Sequence, residues 1–232
     1  EAFADLQVLG DLETNQDYMP FIRNLRKGEE NVVSGMVQVS ICGGNTANSE
    51  FEFLTANTME FLPNGSIPYQ QYIKKETPSI ASHLKDLGYE TYAQHPYYKT
   101  GWCRDKVYPW LGFEHTAFVE DYKGRRMLRN YVTDASDFKF LIRTFEERDK
   151  KKLFFLFNVT MQNHGGYTKT YKNFTNDVQA NCDSEALNQY LTLIKKTDES
   201  VEMLINYFKD CKEPVLVVFF GDHQPNDFLV RP

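Results

Sequence analysis

The chain has 232 residues, a formal net charge of −6, 41% hydrophobic residues and 15% aromatic ones. That length supports one sizeable α/β domain with its own core. The negative charge gives a nucleic-acid partner no electrostatic footing, and no stretch approaches the roughly 18 apolar residues of a membrane-crossing helix. No signal peptide is visible. The abrupt start on Glu1 and the end on Arg231-Pro232 are what is expected of a domain cut from a longer protein. The four cysteines, Cys42, Cys103, Cys182 and Cys211, contain no CxxC pair, which excludes a zinc knuckle. Cys182 and Cys211 could bridge, or all four could be free thiols.

Residues 1–32 read as a loop and a helix, the helix falling in the polar stretch Asn15 to Glu30 with Tyr18, Met19, Phe21, Ile22 and Leu25 as a modest apolar face. Val32 to Ile41 reads as a strand. Gly43-Gly44 then breaks it, and Thr46 stands where a helix could begin. A hydroxyl there lies at the carboxyl end of a strand and at a helix N-terminus, where free N–H groups and the helix dipole favour an anion. Threonine is a weak nucleophile until a base or a metal removes its proton. Ser49 to Met59 would form the helix over the site, packed down by Phe51, Phe53 and Leu54.

Thr77 is a candidate N-cap with Pro78 at the first helical position, Ile80, Leu84 and Leu87 on one face, and Gly88 as the stop. Tyr89 to Gln94 is the next strand. It delivers a loop in which His95, Lys99, Trp102 and Arg104 fall close together. Ligand sites in α/β sheets occupy this end of the strands. A guanidinium can bind two phosphate oxygens at once, and an indole can cover an apolar or sugar-like face, although Trp102 could equally be core. Lys123-Gly124-Arg125-Arg126 is a solvated charge run or a contact for anionic lipid or polymer. Asp134 to Asp149 reads as an amphipathic helix.

Lys152 to Thr160 has the pattern of a buried strand and leads to Asn163-His164-Gly165-Gly166. Ser184 to Lys209 is a long covering helix with apolar residues at helical spacing. Pro214 to Phe220 is a continuous apolar run, the mark of a strand buried on both faces. It stops at Gly221-Asp222-His223. An aspartate and a histidine at a strand end are oxygen and imidazole ligands suited to Mn, Zn or Mg. His95, His164 and His223 thus each follow a strand. No repeat or linker interrupts residues 1–232, so a single domain is expected.

Glu1-Ala2-Phe3, Thr46-Ala47-Asn48-Ser49-Glu50-Phe51, His95 through Trp102-Cys103-Arg104-Asp105, Asn163-His164 and Gly221-Asp222-His223 stand in the order found in the lipoteichoic acid synthase family. The chain resembles that family, phosphoglycerol transferases of the alkaline phosphatase and sulfatase superfamily, over nearly its whole length. The resemblance implies a central, mostly parallel sheet with helices on both faces. It implies one divalent metal, usually Mn with Mg or Zn as alternatives, held by Glu1, Thr46, Asp222 and His223. It makes Thr46 the nucleophile, gives the glycerol phosphate group to His95, Trp102 and Arg104, and sets His164 against the phosphoryl group as binder or proton donor.

The donor so implied is a phosphatidylglycerol-type lipid, and the acceptor a polyglycerol phosphate, a glycolipid or a glycan. The place is the outer face of a bacterial cell membrane, with transmembrane helices preceding the domain. Tyr97 and Tyr98 depart from the smaller or polar residues of the family pattern and leave the acceptor open. A sulfatase is disfavoured, because a Cys/Ser-x-Pro-x-Arg setting is replaced by Thr46, Asn48 and Glu50. A phosphatase or phosphodiesterase would need a second set of ligands, and a phosphoethanolamine transferase matches less well around Trp102. A non-catalytic polymer- or lipid-binding module would have no use for Thr46, Asp222 and His223.

Overall fold

The computed structural model describes residues 1–28 and 31–226. Strands β1 (Tyr89–Gln94), β2 (His115–Ala117) and β5 (Leu153–Asn158) form a parallel sheet in the order β2-β1-β5. Tyr92 pairs with His115 on one side of β1 and with Leu156 on the other. A hairpin of β3 (Met127–Leu128) and β4 (Tyr131–Val132) stands apart.

Helices cover both faces of the sheet. On one face α2 (Thr46–Thr55), α3 (Pro68–Gln71), α4 (Ile80–Asp86) and α5 (Arg104–Trp110) bury Ala47, Phe51, Leu54, Tyr69, Ala81, Tyr108 and Leu111 against Ala93 and Phe157 of the strands. On the other, α6 (Asp134–Glu147) sets Phe145 edge-on to Phe154 at 5.8 Å. Helix α7 (Glu185–Lys209) packs on α6 and on the N-terminal segment, with Tyr190, Leu191, Leu193 and Ile194 fully buried. The period-2 alternation of β5 explains the division, because successive side chains point to opposite faces.

Three local expectations are corrected. The first concerns α4, which is capped by Ser79 and not by Thr77. Ser79 Oγ accepts from the N–H groups of Ala81 and Ser82, and Ser82 Oγ accepts from the Ser79 N–H, a reciprocal capping box. Thr77 instead donates to the Lys75 carbonyl. Ala81 then faces the core while Ile80 and Leu87 are exposed.

The second and third concern the strands expected at 32–41 and 214–220. Both segments are free of regular strand pairing. Val33, Met36, Val37, Leu216 and Val218 are exposed, and one parallel bridge, Cys42 to Gln224, is what joins their ends. An apolar run sets a preference for extended backbone, but a ladder needs a neighbouring strand to accept and donate its hydrogen bonds.

The N-terminal helix is shorter than the reading of Asn15 to Glu30. Helix α1 spans Pro20–Leu25, and residues 29–30 lie outside the described residues. Its cap, Met19, has no side-chain acceptor. Asp198 of α7 supplies one, accepting from Phe21 N at 2.9 Å and Ile22 N at 2.8 Å. None of the four cysteines is in a disulfide, so the Cys182–Cys211 bridge is not formed.

Candidate active site

Three segments converge on the N-terminus of α2. The turn 43–45 enters it with Gly43 at φ 71° and Asn45 at φ 62°. Gly43 N donates to Gln224 O at 2.9 Å, which lays the Asp222-His223 turn alongside. Ser49, in the first turns of α2, donates to the Asp222 carbonyl at 2.5 Å. The N-terminal segment crosses beside Gly221, where a Cβ would sit 2.0 Å from Phe3 O, so only glycine admits this crossing. Tyr190 of α7 fixes that segment by accepting from Ala4 N at 3.0 Å.

The convergence brings Glu1, Thr46, Asp222 and His223 together. Thr46 Oγ1 lies 3.5 Å from Glu1 Oε1. His223 Nε2 lies 3.5 Å from Asp222 Oδ2 and 4.0 Å from Glu1 Oε2. All four residues are nearly or fully enclosed, and Asp222 Oδ2 and His223 Nε2 make no hydrogen bond. Buried polar atoms are ordinarily paired, so such orphans point to a missing ligand.

The histidine tautomer agrees. His223 Nδ1 lies 2.8 Å from the Gln224 carbonyl, which can only accept, so Nδ1 carries a proton and Nε2 is the nitrogen turned to Asp222 and Glu1. Among the described residues, no group of three or more His, Cys, Asp or Glu side chains is placed so that it could hold a metal ion as it stands. Here the donor set is two carboxylates, one imidazole and one hydroxyl, a chemistry that fits a hard or borderline divalent cation.

Asn45 makes no side-chain cap to α2, so the first N–H groups of the helix are left for an anion. Glu1, Thr46, Trp102, His164 and His223 line one cavity of about 370 Å³. Trp102 and the following Cys103 are both held in the left-handed region, at φ 53° and 58°. Such strain at two successive non-glycine residues costs on the order of 1–3 kcal/mol each and is characteristic of functional loops.

His95 and Arg104 stand behind this cavity and do not line it. His95 is buried, and its Nδ1 donates to the Val159 carbonyl at 2.8 Å. Burial and the nearby Arg104 charge hold its pKa well below the usual value, so it is a neutral imidazole with its Nε2 lone pair unpaired.

For Arg104 the expected open phosphate contact is replaced by a buried ion pair. Its Nε lies 3.2 Å from both carboxylate oxygens of Glu50, and Nη2 bonds Oε1 as well. Tyr108 donates to Glu50 Oε2 at 2.9 Å. Burial opposes the guanidinium charge, but Glu50 raises its pKa further. Arg104 thereby ties α5 to α2 one turn beyond Thr46.

His164 is placed by residues the sequence reading missed. Tyr131 Oη lies 2.9 Å from its Nδ1, with the two rings 4.9 Å apart. Arg129 donates to the carbonyls of Gln162 at 2.8 Å and His164 at 2.6 Å. Asn163 donates to Thr197 Oγ1 at 2.9 Å, and Thr197 donates to Asp134 at 2.6 Å. No local pattern marks Tyr131 or Arg129, which reach His164 only because the β3–β4 hairpin folds over it.

The sequence and the fold have known counterparts. A Rhizobium meliloti (strain 1021) protein provisionally assigned to cyclic beta-1,2-glucan modification is 37% identical over 229 residues, 97% of this chain and 34% of that protein. The chain thus spans about a third of that relative's length. In fold, the Streptococcus pyogenes phosphoglycerol transferase GacH, solved with sn-glycerol-1-phosphate, superposes with a TM-score of 0.83 at 22% identity, over 99% of this chain and 62% of its own. The lipoteichoic acid synthase LtaP from Listeria monocytogenes superposes at 0.71 with 20% identity, over 87% and 49%. These superpositions bear out the α/β architecture, and relatives named as lipoteichoic acid synthases or synthase-like, 25% and 26% identical, bear out the resemblance. The Sulfatase family profile matches residues 3–226, which takes in the Thr46 turn, the His164 loop and the Asp222-His223 turn alike, and the chain belongs to that family.

Proposed function

We propose that this domain is a metal-dependent phosphoglycerol transferase working through a covalent threonine intermediate. The observation that carries the reading is the Thr46 hydroxyl at the uncapped N-terminus of α2, beside Glu1 and the orphaned buried atoms of Asp222 and His223, in one cavity with Trp102 and His164. Glu1, Thr46, Asp222 and His223 would hold one divalent cation, Mn in our reading. When bound, the cation would supply Lewis acidity that lowers the pKa of the Thr46 hydroxyl and offsets phosphoryl charge.

The chain's own residues account for the rest. Thr46, as its alkoxide, attacks the phosphorus of a phosphatidylglycerol-type lipid. The first N–H groups of α2 face the equatorial oxygens. His164, aligned by Tyr131, gives a proton to the leaving diacylglycerol oxygen. Trp102 walls the glycerol moiety, and neutral His95 backs the site from behind the cavity. Arg104 positions α2 through Glu50. In the second half-reaction an acceptor hydroxyl returns its proton to His164, bonds to phosphorus and releases Thr46.

Among the described residues no helix is long and apolar enough to cross a membrane. The donor would therefore be met at a membrane surface by a single catalytic domain, 1–232, carried on the outer face of the cell by a longer protein. The relative linked to glucan modification keeps a sugar polymer among the acceptors alongside polyglycerol phosphate and glycolipid.

The test is intact mass after incubation with Mn²⁺ and phosphatidylglycerol vesicles. A glycerophosphate adduct of roughly 154 Da on the protein, absent from Thr46→Ala, is the expected covalent intermediate. Turnover retained by a folded Thr46→Ala protein would overturn the assignment.

A further inference from the structure

The residues that depart from the family pattern beside His95 form a surface of their own. Tyr97 and Tyr98 stand with ring centroids 5.0 Å apart, Tyr97 and Tyr131 at 6.3 Å, and Tyr131 and His164 at 4.9 Å. The row starts in solvent, Tyr98 being 59% exposed, and ends at His164. Tyr97 and Tyr131 are half-buried. Tyr97 also flanks Gly101, where a Cβ would lie 3.7 Å from its ring, so the row abuts the loop that carries Trp102.

Most core tyrosines of this protein behave otherwise, Tyr69 with its unpartnered hydroxyl being an exception. Tyr18, Tyr108, Tyr122, Tyr167 and Tyr190 are covered and hydrogen-bonded within the fold. Tyr97 and Tyr98 keep their rings accessible, and no hydrogen bond from their hydroxyls is found among the described residues. Accessible aromatic faces bearing free hydroxyls suit a ligand that offers C–H faces and O–H groups at once, which is a sugar ring.

The neighbouring charge points the same way. The Tyr97 carbonyl accepts from Val119 N at 3.1 Å, which brings the row to a hollow lined by Asp105, Glu120 and Asp121 and, among the described residues, a single cation, Lys99. Carboxylates accept sugar hydroxyls, but they repel a polyanion such as polyglycerol phosphate.

We propose that Tyr98, Tyr97 and Tyr131 are an acceptor subsite that stacks a neutral sugar residue of a glycan chain and leads its hydroxyl to His164. The inference rests on the transferase reading above and names its acceptor. In the step it serves, the sugar O–H gives its proton to His164, the oxygen bonds to phosphorus, and the Thr46 Oγ–P bond breaks with its electron pair returning to Thr46. The product is a glycerophosphorylated sugar.

The experiment gives the full chain Mn²⁺, phosphatidylglycerol vesicles and either laminarihexaose, a neutral glucan, or an oligomer of glycerol phosphate, and reads product mass. Transfer to the glucan is expected, with its KM raised about tenfold in Tyr98→Ala and more in Tyr97→Ala/Tyr98→Ala, while Tyr98→Phe and Tyr98→Trp stay near the parent. The Thr46 adduct formed from phosphatidylglycerol alone, in which no sugar takes part, reports the donor side separately. An unchanged glucan KM in Tyr98→Ala, or transfer to the glycerol phosphate oligomer alone, would overturn the subsite.

If no adduct forms, the transferase reading fails. Saturation-transfer NMR with laminarihexaose still decides the subsite, which stands if the parent binds and Tyr98→Ala does not, and falls if the parent shows no binding.

Discussion

Helix α2 is flanked by two sets of buried charges that are handled in opposite ways. Behind it, Arg104 and Glu50 are both at most 3% exposed, and every contact closes, with the guanidinium on the carboxylate and Tyr108 on the remaining lone pair. In front of it, Glu1, Asp222 and His223 are almost as enclosed, yet the Asp222 and His223 side chains keep unpaired atoms. The same helix therefore separates charge that is fully hydrogen-bonded within the protein from charge that keeps atoms without a hydrogen bond. Burial and polarity alone do not distinguish the two; satisfaction does. This is why Arg104, which sequence reasoning sets against substrate, belongs with the framework.

The comparison can be broken most sharply at the closed side. Arg104→Ala leaves the Glu50 carboxylate buried without its cation and is expected to cost about 3–5 kcal/mol in urea denaturation, whereas Glu50→Gln combined with Arg104→Met should recover most of that. A loss below about 1 kcal/mol for Arg104→Ala would mean that the pair is not the brace described.

The open side is sharpened by metal. At a Mn²⁺ concentration about a hundredfold above its dissociation constant, stability should rise by about 2.7 kcal/mol. This would read as a rise in Tm of several degrees, reversed by EDTA and absent in Asp222→Asn. An equal rise in Asp222→Asn would show that the orphaned atoms are not the ligands.

Asp137 is an intermediate case, and its effect is spread over several pH units. It is fully buried but met by neutral partners, Tyr122 Oη at 2.8 Å and Asn158 Nδ2 at 2.7 Å. Burial pushes its pKa up to about 7 from an ordinary 3.8. Between those values the folded protein holds a proton that the unfolded chain has released. Its contribution to stability is therefore full below about pH 4 and is lost as pH rises toward 7. Asp137→Asn should flatten that decline relative to the parent, by up to about 1.4 kcal/mol per pH unit within that interval. Parallel stability curves for the two proteins would show that Asp137 ionises normally.

Much of the framework was legible locally. Tyr89–Gln94 as a strand, Asp134 and Ser184 as the neighbourhoods of helix starts, and the long spacing of α7 follow from periodicity and caps read over a few residues. The segments 32–41 and 214–220 were misread for the complementary reason. Their residues favour an extended chain, but pairing is a property of neighbours, and apolar content says nothing about where those neighbours lie. The Ser79 cap was a closer contest, decided by the reciprocal bond from Ser82 that Thr77 has no partner to make.

The sequence by itself determined the chemistry on offer: a threonine after two glycines, an Asp-His pair, and histidines in the loops after Tyr89–Gln94 and Leu153–Asn158. It determined the family too, because those motifs recur in order along the chain. What only the tertiary structure decided was which of them meet. Glu1 and Asp222 are brought beside Thr46 by the Gly221 crossing and the Gly43–Gln224 bond, Arg104 is turned onto Glu50, and Tyr131 is folded onto His164. These contacts join residues tens to hundreds of positions apart, and a hydrogen bond or ion pair depends on distances of a few ångströms that composition and local spacing do not encode.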